Sequence, residues 1–377
     1  METTRFFPLG ELALDCGETV PAAVLAYETY GTLRADRSNA VLLFHALTGS
    51  QHAHGYNPSI PEVAPLWQEE NHEGWWNAMI GPGRPLDTDR YFIICANLLG
   101  SCYGSSGPCS THPDGTPWGS RFPLIAAGDQ ARAQAALLDH FGIERLHLVG
   151  PSVGGLIGLA FTALFPSRVH SFITIGSGYQ PSMDHQLSVF EQILAIELDP
   201  LYLAGRYPLD NPPRQGLAFA RIIGHKAFVY QEGLAERARE STGDRKNMLT
   251  WYTPTRNTQS YMLHQGTKFA NRFDANSYIR IADMWINYDL RTITGTATLE
   301  QALEPCRAAG IPFLVFSIDT DACFRPEEQR EYVRQLQRIG IPAEYHLIRS
   351  EKGHDSFLLE PELYAEPIAR FLQRSNA

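Results

Sequence analysis

The stretch His147-Leu148-Val149-Gly150-Pro151-Ser152-Val153-Gly154-Gly155-Leu156 decides how the chain is read. It begins as an apolar strand and ends in residues 157–165, a small-residue apolar segment with helical character. Between them, Gly150-x-Ser152-x-Gly154 has the spacing of a nucleophile elbow, in which a serine sits in a strained turn and small neighbours let strand and helix approach. Such a turn holds the hydroxyl clear of the backbone at a helix N-terminus, where free N–H groups and the helix dipole favour a developing negative charge. The same spacing also arises by chance at junctions where serine is merely the small polar residue that fits, so the reading depends on context and partners.

The context is βα alternation on both sides. Residues 123–141 have helical spacing, with Leu137 and Leu138 on an apolar face and Gly142 as a stop, and residues 169–175 form the next strand. Residues 40–44 and 91–96 are short, wholly apolar runs of the kind that form buried parallel strands, and residues 20–30 belong to an opening hairpin or meander. The loops at 51–90, with Trp67, Trp75 and Trp76, and at 97–118 are long enough to be functional. From about 177 to 289 strand-like runs give way to aromatics and helical segments at 186–198 and 214–235. The rhythm then returns with a strand at 311–318, a helix at 327–337 and a strand at 343–348. This pattern predicts an α/β fold with a mostly parallel, doubly wound sheet, built from residues 1–176 and 293–377, and an inserted helical lid at 177–292.

Partners for Ser152 lie at the expected strand ends. Asp319-Thr320-Asp321 follows the 311–318 strand and Gly353-His354-Asp355 follows the last one, the chain order of α/β-hydrolase enzymes. His354 would take the Ser152 proton and return it to a leaving group, while a carboxylate fixes the imidazole tautomer; Asp319 and Asp321 compete for that part. A second oxyanion-hole donor is expected in the loop after an early strand, here His45-Ala46-Leu47-Thr48-Gly49, so the backbone N–H groups of Leu47 and Val153 are the candidates. His45 reads as a structural histidine satisfied at the strand end.

Composition limits the partners. The 377 residues, 44% of them hydrophobic, suffice for one large core. A net charge of −10 argues against nucleic acid or an anionic membrane. Six scattered cysteines show no C-x-x-C pair and no zinc-ligand spacing, which predicts reduced thiols and no metal. No signal-peptide pattern and no apolar run of membrane-spanning length is present, so a cytoplasmic protein is expected.

Beyond the elbow, several stretches are specific: His45-Ala46-Leu47-Thr48-Gly49, Gly81-Pro82-Gly83, Asp87-Thr88-Asp89-Arg90-Tyr91-Phe92 and Gly104-Ser105-Ser106-Gly107-Pro108. Gln265-Gly266-Thr267-Lys268-Phe269, Arg272-Phe273-Asp274-Ala275-Asn276-Ser277-Tyr278 and Gly353-His354-Asp355-Ser356-Phe357-Leu358 extend the set over most of the chain. In these the sequence closely resembles the homoserine O-acyltransferases of methionine biosynthesis, α/β-hydrolase-fold enzymes that move an acyl group from coenzyme A to an amino-acid hydroxyl. The resemblance implies a homodimer formed through the lids, and acyl-CoA (acetyl-CoA or succinyl-CoA) as co-substrate with no permanently bound cofactor. Matching Thr320-Asp321 ahead of Phe324-Arg325-Pro326 to the family's pattern implies Asp321 as triad acid, with Asp319 as the fallback. It also implies that Arg221, in Ala220-Arg221-Ile222-Ile223-Gly224-His225, binds the acceptor's carboxylate and that Asp355 faces its amino group.

Two departures stand out. The family's G-G-S-M-G-G is here Gly150-Pro151-Ser152-Val153-Gly154-Gly155, and a tyrosine common seven residues after the arginine is here Phe228. The acceptor is therefore open between homoserine, serine and another amino-alcohol, and the donor between acetyl and succinyl. A serine esterase shares the triad but has no use for an acceptor clamp. A hydrolase-fold binding protein would carry the strain of the elbow without benefit.

Overall fold

The computed structural model describes residues 3–61, 63, 65–240 and 248–375. Its N-terminal half runs β1 (Arg5–Ala13), β2 (Thr19–Tyr30), β3 (Ala40–Phe44), a short parallel pair β4 (Ile80–Gly81) and β5 (Leu86–Asp87), β6 (Phe92–Ala96), α1 (Ala127–Phe141), β7 (Leu146–Pro151), α2 (Val153–Leu164) and β8 (Val169–Ile175). Then come α3 (Met183–Glu197), α4 (Arg214–Phe228), α5 (Gln231–Arg237), α6 (Asn257–Ala270), α7 (Ala275–Ile286), α8 (Leu290–Thr294) and α9 (Leu299–Ala308). The chain closes with β9 (Phe313–Ile318), α10 (Pro326–Ile339), β10 (Ala343–Ile348), α11 (Ser356–Leu359) and α12 (Glu362–Arg374).

Among the described residues, eight strands form one sheet in the order β1-β2-β6-β3-β7-β8-β9-β10. The β1–β2 and β2–β6 pairs are antiparallel and the other pairs are parallel. Strands β3, β6, β7 and β9 are buried along their whole length, which is why they read as mainly apolar runs, with β3 and β6 wholly so. Their side chains alternate between two layers, since Leu42 and Phe44 join Leu148, Phe161 and Phe172 on one face while Val41 and Leu43 join Val149, Phe316 and Ile368 on the other. Because β3, β7, β8, β9 and β10 run parallel, their C-terminal ends lie along one side of the sheet, so the loops after β3, β7, β9 and β10 can meet there.

Three differences from the sequence reading stand out. The helix expected from 123 begins at Ala127, because Asp129 Oδ2 accepts the Ala126 N–H at 2.8 Å and so sets its first turn. The helix expected over 214–235 breaks at Val229 (φ −112°, ψ 147°) and Tyr230 (φ −71°, ψ 121°), both extended. The loop carrying Gly353 passes so close to that break that a Cβ on Gly353 would lie 2.6 Å from the Tyr230 nitrogen. Finally, the boundary expected at residue 292 falls inside α8, which packs with α9 and α2. Among the described residues, no helix is long and apolar enough to cross a membrane, and no three His, Cys, Asp or Glu side chains are grouped to hold a metal ion.

Candidate active site

Ser152 links β7 to α2 at φ 55°, ψ −128°, a conformation costly for a residue with a side chain. The flanking glycines make it possible: a Cβ on Gly150 would stand 2.4 Å from the Gly154 carbonyl oxygen, and one on Gly154 would stand 2.6 Å from that of Phe44. The helix therefore starts directly beneath the serine and against the end of β3.

His354 lies in the loop after β10, and its Nε2 is 2.8 Å from Ser152 Oγ. Its Nδ1 is 2.8 Å from Asp321 Oδ2. The other oxygen of that carboxylate accepts the backbone N–H groups of Cys323, at 2.7 Å, and Phe324, at 2.8 Å. Ser152, His354 and Asp321 are all buried, whereas Asp319 is exposed and accepts the Ser350 N–H at 3.0 Å. Burial alone would lower the His354 pKa, but the Asp321 carboxylate, by charge and hydrogen bond, and the charge of Asp355 hold it above the usual histidine value. Phe324 stacks on the imidazole with ring centroids 5.6 Å apart.

The loop after β3 turns tightly, with the Gly49 N–H donating to the Ala46 carbonyl at 2.9 Å. His45 holds this turn. Its Nδ1 is 2.8 Å from the Ala46 oxygen and its Nε2 accepts the Leu98 N–H at 3.1 Å, a pattern that a neutral Nδ1–H imidazole satisfies. Burial brings the His45 pKa down to about 4, in keeping with that neutral form. Leu47, in the turn, lines the same pocket as Ser152, and Val153 opens α2, where the first N–H groups have no partner within the helix.

That pocket, about 220 Å³, also takes in His354, Arg221, Asp355 and Phe228. The predicted site residues thus meet at one cavity, with Asp321 behind His354 and the Val153 side chain buried beneath it. The Arg221 guanidinium lies 5.3 Å from the Phe228 ring centroid and 5.0 Å from that of Phe269, held between aromatic surfaces. Burial lowers its pKa, and the nearby Asp355 charge opposes the shift. A planar guanidinium and a carboxylate on one wall match the two charges of an amino acid, because the fork donates paired hydrogen bonds to a carboxylate.

Sequence reasoning passed over other groups here. Arg272 crosses from the α6–α7 junction to reach Glu70 at 3.3 Å and the Tyr103 hydroxyl at 2.9 Å, with its guanidinium 5.1 Å from the Phe269 ring centroid. Glu70 also pairs with Lys268 at 2.7 Å. Trp75, from the long loop, and Trp285, from α7, complete the apolar wall. Beside them His52 Nδ1 is 2.8 Å from the buried Glu28 carboxylate, which also accepts from Thr4 at 2.7 Å, Tyr30 at 3.0 Å and Asn57 at 3.0 Å. The only signals for these groups were the length of the 51–90 loop and the Arg272-Phe273-Asp274 motif.

The geometry agrees with what the chain resembles. The family model of the alpha/beta hydrolase fold matches residues 39–361. A homoserine O-acetyltransferase of Geotalea daltonii is 38% identical over 369 residues, covering 97% of this chain and 96% of that one. A homoserine O-succinyltransferase of Acidithiobacillus ferrooxidans is 38% identical over 368 residues, covering 96% and 92%. The crystal structure of homoserine O-acetyltransferase from Bacillus anthracis superposes with a TM-score of 0.87 at 26% identity, over 100% of this chain and 99% of the other.

Proposed function

Since the chain belongs to the homoserine O-acyltransferases, within the alpha/beta hydrolase fold family, we propose that it moves an acetyl group from acetyl-CoA to the hydroxyl of homoserine by a ping-pong route through Ser152. In the first half-reaction His354 Nε2 takes the Ser152 proton as Oγ attacks the thioester carbonyl. The N–H groups of Leu47 and Val153 hold the oxyanion, and collapse expels the coenzyme A sulfur, which leaves as the thiol with the proton from His354. In the second, His354 removes the acceptor's hydroxyl proton, that oxygen attacks the acyl-serine ester, and Ser152 regains its proton as the product ester departs. Asp321 keeps the His354 proton on Nδ1 throughout, which leaves Nε2 free to accept.

The observation that carries this reading is the opening of the Ser152–His354–Asp321 hydrogen-bonded array onto the pocket that also holds Arg221 and Asp355. An esterase, whose second nucleophile is water, would gain nothing from that pair of charges. Succinyl-CoA is the alternative donor, because a relative of equal identity carries the succinyltransferase name. Serine is the alternative acceptor, because Phe228 offers no hydroxyl beside the clamp.

The helical segment at 177–292 is the proposed lid and dimer surface. On α3, Met183, Leu187, Phe190 and Leu194 are exposed at helical spacing and form an apolar stripe that a second copy of the chain would cover. The proposed setting is the cytoplasm, with small molecules as the substrates.

Mass spectrometry of the protein mixed with acetyl-CoA and no acceptor should find the acetyl group on the Ser152 peptide. Steady-state assays crossing acetyl-CoA and succinyl-CoA with homoserine and serine should be fastest for acetyl-CoA with homoserine. Full transfer activity in Ser152→Ala would end the proposal.

A further inference from the structure

We propose that Arg272 is a positioning residue for the oxyanion hole, gripping from the lid side the turn that carries Leu47. The inference rests on the acyl-transfer reading above. Arg272 Nη1 donates to the Thr48 carbonyl at 3.4 Å and to the Tyr103 hydroxyl at 2.9 Å. The Tyr103 hydroxyl in turn donates to the Arg272 carbonyl at 2.7 Å, so side chain and main chain of residue 272 are held by one phenol. Glu70 balances the charge at 3.3 Å, and the side chain is only 16% exposed. Burial would lower the Arg272 pKa, but the Glu70 charge and the Tyr103 hydrogen bond raise it above the usual arginine value, so the guanidinium keeps its charge.

What is gripped matters. The turn is pinned on its other side by His45, through the Ala46 carbonyl. Arg272 holds the carbonyl of Thr48, one residue beyond Leu47, so between them the two side chains fix both ends of the segment whose N–H is to meet the oxyanion. Arg221 and Arg272 also both lie about 5 Å from the Phe269 ring, but the opposing charge that acts most on Arg221 is Asp355, while Arg272 pairs with Glu70 at 3.3 Å. The two arginines therefore divide the work: Arg221 serves the acceptor, and Arg272 serves every step in which an oxyanion forms.

Arg272→Ala, Arg272→Lys and Tyr103→Phe test this, read by rapid-quench acylation from acetyl-CoA and by the affinity of phenylboronic acid, which forms a tetrahedral adduct with the active serine. Loosening one oxyanion donor should slow acylation in Arg272→Ala by roughly 10- to 100-fold, less than outright removal of a donor costs. The boronate should weaken by a similar factor while the acetyl-CoA dissociation constant, read from the concentration dependence of single-turnover acylation, stays within about twofold. Arg272→Lys should fall between, because one ammonium must replace both Nη1, which serves Tyr103 and Thr48, and Nε, which meets Glu70. Tyr103→Phe keeps the guanidinium and its ion pair, so it should give a smaller loss in the same direction and decides the matter if Arg272→Ala does not fold. Unchanged acylation and boronate affinity, with only transfer to homoserine slowed, would overturn the proposal and assign Arg272 to the acceptor. A wild-type protein that binds the boronate yet forms no acyl-Ser152 would instead overturn the acyl-transfer reading.

Discussion

Replacing Asp321 by asparagine isolates the part of the site that sets a proton's address. In the native protein Asp321 Oδ1 accepts two backbone N–H groups, at 2.7 and 2.8 Å, and Oδ2 meets His354 Nδ1 at 2.8 Å. An asparagine keeps its oxygen on the two N–H groups, which leaves its NH2 facing Nδ1. That NH2 can only donate, so the imidazole proton moves to Nε2 and points at Ser152, which then has no base. A tautomer error of this kind costs on the order of 10⁴ in turnover, and at one decade per 1.36 kcal/mol that is about 5.4 kcal/mol of barrier. Asp319→Asn should change turnover by well under tenfold, because asparagine keeps an oxygen for the Ser350 N–H and the residue is exposed. The assay is quench-flow release of coenzyme A thiol with and without acceptor. The pH profile adds a second check: His354 must be neutral to act, so kcat/KM rises with pH through a pKa held above the usual histidine value. That limb should move to lower pH in Asp321→Asn, where the Asp321 charge and hydrogen bond are lost and only the Asp355 charge still opposes burial. Equal losses in the two variants, or an Asp321→Asn enzyme near wild-type rate, would refute the assignment.

Arg221→Ala should slow only acyl transfer to the acceptor, by roughly 2–5 kcal/mol of barrier, because the carboxylate it faces is left desolvated and unpaired; single-turnover acylation should match wild type. Burial by itself would raise the Glu28 pKa, but the His52 hydrogen bond and charge, with Thr4 and Asn57, bring it below the usual glutamate value. Its folded pKa is then below its unfolded one, so its stabilisation is present above the unfolded value and is lost as pH falls through the folded one. Thermal melts of Glu28→Gln from pH 7 down to the acid range should show a lower Tm at neutral pH and a gap from wild type that closes with acid. Phe190→Asp with Leu194→Asp should turn the proposed dimer into a monomer by sedimentation velocity, and dimers that persist would exclude the α3 stripe as the interface.

The elbow and the strands were legible because their constraints are local. A wholly apolar run such as Ala40–Phe44 has one use in this fold, and small residues around Ser152 are demanded by backbone atoms within 3 Å of them. The α/β architecture followed from that rhythm. Asp319 and Asp321 could not be separated by spacing alone, because both lie just past β9 and only the direction of each side chain tells them apart. The part played by Arg272 was illegible for a related reason: its partners Thr48 and Glu70 come from the β3–β4 connection and Tyr103 from the β6–α1 connection, far from it in sequence. The break at Val229–Tyr230 was missed because helical periodicity continues through it, and its cause is the distant Gly353 loop.

That crossing of α4's end by the Gly353 loop has a consequence for how such an enzyme can diverge. The helix bearing Arg221 and Phe228 rests, at its last turn, on the backbone next to His354, and Gly353 at φ 69° leaves no slack between them. The part proposed to select the acceptor and the part proposed to move the proton are therefore mechanically in series. A substitution that reseats α4 for a new acceptor is transmitted to the base, so changes of acceptor preference should arrive together with changes in kcat for every acceptor, water included. Lineages exploring new alcohols on this scaffold would then find side-chain exchanges that leave the α4 backbone in place easier to accept than any change that shifts the helix end.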